Sequence, residues 1–328
     1  MLIFFRFERK NLIYKETIFN LQLLNTDYPI QKGYLKVSEV HEIYYEVCGV
    51  DDGETYLFVH GGPGAGFSEH DKRFFDFKKH KVVFFDQRGS AKSKPFGSIE
   101  ENTTQDLVND INALLSSLKI EKINIFGGSW GTTLSLVFAI QNPEKVKSLL
   151  LRGVFLGDKK SIDHYLNGGV ENEFPKEWSR FKGNVPTASG LSIPAYYLDQ
   201  MLNGSPENKK FFCYEWVFYE ISIFKKGISE SEIDTIINEF PFESLAIMEA
   251  HYLGNNCFIE DNYIVDNINF LDNIPTIIVH GKYDAICPVQ YAETLHHKLK
   301  RSALYIENTG HSDSEPGIEQ TIIEILNQ

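Results

Sequence analysis

Ser129 sits among Gly127, Gly128, Trp130 and Gly131, a Gly-x-Ser-x-Gly arrangement. About 0.1 such matches arise by chance in a chain this long, so the flanks decide what it means. An apolar, strand-like run (123–127) precedes it and a helix-like run (131–143) follows. A serine on a sharp strand-to-helix turn has its hydroxyl exposed for attack, and glycines are needed there because bulky side chains would block the turn. The helix N-terminus behind it favours negative charge near the serine oxygen. A hydroxyl becomes a nucleophile only when a base takes its proton, and the base needs an acid to orient it. On a serine turn of this kind the partners follow as Asp or Glu, then His. Asp284 in "TIIVHGKYDAICPV" and His311 in "ALYIENTGHSDSE" stand in that order, each in a loop just after a strand-like run. The oxyanion formed on attack needs donors. These are expected at the N–H of Trp130 and at a glycine of "VHGGPGAG" (59–66), here Gly62, where no side chain obstructs the backbone. Each donor is worth about 2.7–4 kcal/mol in the barrier.

Such residues need a scaffold that brings distant loops together. Short apolar runs rich in Val, Ile and Phe at 56–60, 81–86, 123–127, 148–153, 276–281 and 303–307 read as strands buried on both faces. Helical patterns lie between them. The stretch 104–118 has an apolar stripe, with Thr104 as its expected cap. The 131–143 helix ends before Pro143, and 288–299 has Pro288 in its first turn. Strand alternating with helix predicts an α/β fold with a mostly parallel central sheet. Ligands gather at the C-terminal ends of strands in such sheets, where Asp284 and His311 fall. The alternation stops over 155–270, a stretch rich in Phe, Tyr, Trp, Asn and Glu that reads as a mainly helical cap. The expected division is an N-terminal extension (1–27), a catalytic core (28–154 with 271–328) and the cap.

Composition narrows the function. The 328 residues carry a formal charge of −13 and show no basic stripe, so nucleic acid is not an expected partner. No run reaches the ~18 apolar residues of a membrane span, and the N-terminal apolar run is broken by Arg6, Glu8, Arg9 and Lys10, unlike a signal peptide. Cys48, Cys213, Cys257 and Cys287 form no C-x-x-C pair, which predicts neither disulfides nor a zinc site. Four scattered thiols suit a reducing compartment, and the expected location is cytoplasmic. The expected mechanism uses no metal and no cofactor.

Taken together, "HGGPGAG" (60–66), "DQRGSAKS" (86–93), "GGSWGTTL" (127–134), "HGKYDAICP" (280–288) and "GHS" (310–312) resemble the proline iminopeptidases, serine peptidases of the α/β-hydrolase fold. The likeness runs from about Tyr28 to near the C-terminus. It implies release of an N-terminal proline from peptides, with two cap glutamates holding the substrate's free amine. The first lies in a W-x-x-W-E pattern, matched by Trp216, Val217, Phe218, Tyr219 and Glu220, with Tyr219 in place of the second tryptophan. The second is Glu249 in "MEAHYLG", where Leu253 replaces a phenylalanine. Physical chemistry agrees with that reading. An amine of pKa near ~8 is largely cationic at neutral pH, and paired carboxylates in a partly dry pocket would bind it and reject blocked or internal peptides.

Other polar residues have plainer readings. His60 is expected to hold the glycine loop, His280 to pack in the sheet, Asp86 and Arg88 to fix loops, and His296 and His297 to face solvent. The triad alone does not separate a peptidase from an esterase, amidase or lactonase of the same fold, nor from a ligand-binding relative that has lost catalysis. The glutamates make the first distinction.

Overall fold

A computed structural model describes residues 29–224 and 227–327; the expected extension over 1–27 lies outside them. The strands are β1 (Gln31–Lys36), β2 (Glu42–Gly49), β3 (Glu54–Val59), β4 (His80–Phe85), β5 (Ile123–Gly128), β6 (Val146–Arg152), β7 (Thr276–Gly281) and β8 (Ser302–Glu307). They form one sheet in the order β1-β2-β4-β3-β5-β6-β7-β8. The β1–β2 and β2–β4 pairs are antiparallel and the rest parallel. All six strands expected from the apolar runs are present, but β8, expected to be buried on both faces, is a largely exposed edge strand. The two that periodicity missed, β1 and β2, have no continuous apolar run. β1 is a solvent-facing edge. β2 carries Glu46, whose burial is compensated by Lys72 Nζ at 2.7 Å.

Side chains alternate across the central strands, as a sheet covered on both faces requires. Leu57, Val59, Val83, Phe85, Ile125, Leu149, Leu151 and Ile278 pack on one face. Phe58, Val82, Phe84, Phe126, Leu150 and Val279 pack on the other with Phe74 and Phe75. Phe126 meets Phe58 and Phe74 edge to face at centroid distances of 5.3 and 5.4 Å, contacts worth about 0.5–1.5 kcal/mol each beyond area burial.

Helices α1 (Thr104–Ser117) and α2 (Trp130–Gln141) link the central strands, and α10 (Gln290–Lys298) and α11 (Pro316–Leu326) flank β8 in sequence. Two local expectations need correction. α1 is capped by Thr103, not Thr104. Thr103 Oγ1 accepts the Asp106 N–H at 3.3 Å while Asp106 reaches back to the Thr103 N–H at 3.0 Å, a reciprocal box that a single Thr cannot signal. Pro288 precedes α10 and is not in its first turn.

Between β6 and β7 the described elements are all helical: α3 (Lys159–Leu166), α4 (Pro175–Gly183), α5 (Ile193–Asn203), α6 (Pro206–Phe224), α7 (Glu230–Ile237), α8 (Phe242–Gly254), α9 (Tyr263–Asp266) and short 3-10 turns. Polar contacts attach α8 to the loops above the sheet. Ser244 Oγ donates to the Gly64 carbonyl at 2.8 Å, Tyr252 Oη donates to Asn102 Oδ1 at 2.7 Å, and His251 Nε2 lies 2.8 Å from the Asn102 carbonyl. Among the described residues, no helix is long and apolar enough to cross a membrane.

Candidate active site

Ser129 caps α2 at φ 55° and ψ −123°. Its N–H donates to the Arg152 carbonyl at 2.8 Å, which ties the turn to the end of β6. Close approach explains the flanking glycines. A Cβ on Gly131 would stand 2.1 Å from the Val59 carbonyl oxygen, and one on Gly127 2.4 Å from the Gly131 carbonyl oxygen.

Asp284 follows β7 and is buried. Its Oδ1 accepts the N–H groups of Ile286 at 3.0 Å and Cys287 at 2.8 Å. Its Oδ2 faces His311 Nδ1 at 2.7 Å, and His311 Nε2 lies 3.1 Å from Ser129 Oγ. The three residues singled out by type and order thus form one hydrogen-bonded line. With the proton on His311 Nδ1, that N–H donates to Asp284 and Nε2 accepts from the serine hydroxyl. Burial opposes the Asp284 charge, but His311 chiefly, with His280 and the Cys287 N–H, holds its carboxyl below the ordinary range. The His311 loop is pinned in turn. The His311 N–H donates to the Phe224 carbonyl at 3.3 Å, and the Gly310 N–H to Glu315 Oε1 at 2.8 Å.

The loop 60–66 lies across the serine turn. A Cβ on Gly61 would come within 3.4 Å of Ser129 Cβ, so Gly61 borders the nucleophile. Gly62 has φ +102°, and a Cβ there would stand 2.9 Å from Leu245 Cδ1 of α8. The backbone N–H of Trp130 belongs to the first turn of α2, where no intrahelical carbonyl serves it. The Trp130 indole donates to Gln87 Oε1 at 2.9 Å, and Gln87 Nε2 donates to the His60 carbonyl at 2.9 Å. Burial lowers His60 to about 4, so its neutral ring donates from Nδ1 to the Gly61 carbonyl and accepts the Gln87 N–H at Nε2. Asp86 likewise accepts the N–H groups of Phe67 and Lys92, and Arg88 forks onto Asp110 with two contacts of 2.7 Å. His280 is fully buried, with Nδ1 accepting the Val154 N–H.

Glu220 on α6 and Glu249 on α8 are 8% and 4% exposed. Among the described residues no lysine, arginine or histidine forms an ion pair with either. The Trp216 indole, one turn before Glu220, donates to Glu249 Oε2 at 2.6 Å, while Glu220 Oε2 is buried with no hydrogen-bond partner. Burial, then the neighbouring Glu220 charge, raises Glu249 well above the carboxylate range. Burial also raises Glu220, against the pull of Glu249 and of His311. Two buried acids this close cannot both ionise freely without a cation between them. The Tyr165 hydroxyl, also buried without a partner, feels both acids. The four cysteines are free and buried. Cys287 brings its sulfur near Asp284 and His311, all three ligand atoms lying within 4.8 Å of one another. Burial keeps that thiol protonated, and the Asp284 and His311 atoms are engaged with each other.

A family model of the alpha/beta hydrolase fold matches residues 56–317. A proline iminopeptidase of Arabidopsis thaliana is 38% identical over 90% of this chain and 78% of its own length. One from Neisseria meningitidis is 36% identical over 91% and 96%. The chain belongs to the proline iminopeptidase family. As a proline iminopeptidase family member it is a hydrolase. Among solved structures, a proline iminopeptidase of Mycobacterium smegmatis has a TM-score of 0.61 at 14% identity, covering 90% of this chain and 97% of that one. An esterase of Exiguobacterium antarcticum has a TM-score of 0.62 at 20% identity, covering 90% and 98%; these two likenesses speak to the fold. Two charged residues near this line were not singled out by the sequence: Arg152, which contacts His311, and Asp313, which faces Arg152. In the sequence, the sole signal for Arg152 is a charge closing the apolar run 148–153.

Proposed function

We propose that this hydrolase is a serine aminopeptidase that releases N-terminal proline from peptides with a free amino end. The observation that carries the reading is the hydrogen-bonded line Ser129–His311–Asp284 together with two buried carboxylates, Glu220 beside His311 and its neighbour Glu249, that no cation pairs with among the described residues. Ser129 Oγ attacks the carbonyl of the terminal proline while His311 Nε2 takes the hydroxyl proton. The tetrahedral oxyanion is met by the N–H groups of Trp130 and Gly62. His311 then gives the proton to the leaving amine, and Asp284 holds the imidazole in the productive tautomer and stabilises its charged form. Water, deprotonated by His311, hydrolyses the prolyl-enzyme. Glu220 and Glu249 hold the substrate's ammonium group, which supplies the cation that the pair lacks. In this reading residues 28–154 and 271–328 are the catalytic core and 155–270 the cap.

The test compares proline-β-naphthylamide, its N-acetylated form and a simple aryl ester. Turnover of the free-amine compound at least 100-fold above that of the acetylated one is expected. Preference for the acetylated compound would sink the aminopeptidase reading and leave an esterase or amidase.

A further inference from the structure

Arg152 ends β6, and its side chain lies against the serine turn, where a Cβ on Gly128 would stand 2.8 Å from its Nη2. Its Nη1 donates to the His311 carbonyl at 3.1 Å and stands 3.5 Å from His311 Nε2. That ring nitrogen is the one facing Ser129 Oγ. A guanidinium keeps its proton and its charge. An unopposed cation here disfavours an imidazolium, and its N–H competes with the serine hydroxyl for the same lone pair.

Asp313, two residues beyond the histidine, is the acid that faces it. Asp313 Oδ2 is 3.8 Å from Arg152 Nη2, and Asp313 Oδ1 is 3.3 Å from Arg73 Nη2. Arg73 is buried and anchored on other elements. Its Nε meets Glu319 of α11 at 2.6 Å, its Nη1 donates to the His70 carbonyl at 2.8 Å, and its Nη2 donates to the Asp313 carbonyl at 3.2 Å. Burial opposes the Asp313 charge, yet Arg152 and then Arg73 hold its carboxyl below the ordinary range.

We propose that Asp313 is a positioning residue for the base: held by Arg73, it stands beside Arg152 and offsets the guanidinium charge next to His311 Nε2. The imidazole then keeps the basicity needed to take the serine proton. This rests on the triad reading above, but not on the substrate being proline. Several other charges face the site. His311 faces Asp284 and His280 from β7 and its following loop, and Glu220 from α6. Asp313 faces His70 and Asp71 from the 69–74 turn. Burial, then Asp313, pushes Asp71 up to about 6, so the test must separate it from Arg152.

A two-site cycle does so. The readouts are fluorophosphonate labelling of Ser129 against pH, and kcat and KM for proline-β-naphthylamide. Asp313→Asn is expected to lower the acidic limb by about one pH unit and kcat about tenfold, with KM within twofold. Arg152→Gln, which keeps its backbone bond to the Ser129 N–H, moves the limb upward. The double variant returns it to the wild-type position, whereas an effect through Asp71 would persist. Asp313→Glu restores the wild-type limb. If Asp313→Asn does not fold, Asp313→Ser takes its place, and a limb that stays at the wild-type position overturns the proposal. Limbs that stay put, or that move the same way in both single variants, overturn the proposal while leaving the triad intact. A wild-type protein that takes no label sinks the triad reading itself.

Discussion

Ser129 holds a left-handed φ of 55°, a conformation that costs a non-glycine residue of order 1–3 kcal/mol. The Arg152 carbonyl and the start of α2 maintain it. Ser129→Ala is expected to lower kcat by at least about 10⁴-fold with little change in thermal stability, because the turn keeps its backbone bonds. Glu249→Gln is the sharper probe of specificity. A charged hydrogen bond is worth about 1.5–3 kcal/mol, so kcat/KM for proline-β-naphthylamide should fall roughly 10- to 100-fold, while hydrolysis of an aryl ester by the same variant barely changes. Equal losses on both substrates would make Glu249 a structural residue. The hydrogen-bonded line of Ser129, His311 and Asp284 was legible in sequence because each residue follows an apolar strand run and they occur in a set order. Arg152 and Asp313 were not. One reads as a strand end and the other as loop, and only the folded chain brings β6, the 69–74 turn and the His311 loop to one place.

The element carrying the base is positioned by how closely two loops approach. A Cβ on Gly281, at the end of β7, would stand 1.9 Å from the Gly310 carbonyl oxygen, so the bare backbone there lets the His311 loop settle. Gly281→Ala is expected to push that loop outward and cut kcat at least tenfold, at an overpacking cost of about 1–3 kcal/mol. KM should change less, since Glu220 and Glu249, the proposed amine anchor, lie on α6 and α8. Kinetics beside a melting curve would check this, and a full-rate variant would show that the loop has slack. Strands were readable where they carry a continuous apolar run, including β8, although it is a largely exposed edge. β1 and β2 escaped because a solvent-facing edge and a strand carrying an ion-paired glutamate show neither alternation nor an apolar run.

At the scale of the molecule, the buried acid pair lowers stability. Glu249 is raised in the folded protein above its ordinary value of 4.5, so the native state keeps a proton that the unfolded chain releases. Stability therefore falls as pH climbs from about 4.5 through the folded-state titration, and is fully present only below that range. Glu249→Gln retains an acceptor for the Trp216 indole and removes the penalty. Its Tm at pH 7–8 should exceed that of the wild type, by roughly 2–4 °C for each kcal/mol recovered, and the gap should close on acidification toward pH 4.5. A gap constant with pH would show that the acid is not strained. The attachment of α8 to the loops above the sheet has a further consequence. Ser244, His251 and Tyr252 fasten the helix bearing Glu249 to Gly64 and Asn102, so in the proposed reading the reach from the ammonium site to the attacking oxygen is fixed by the scaffold and not by the substrate.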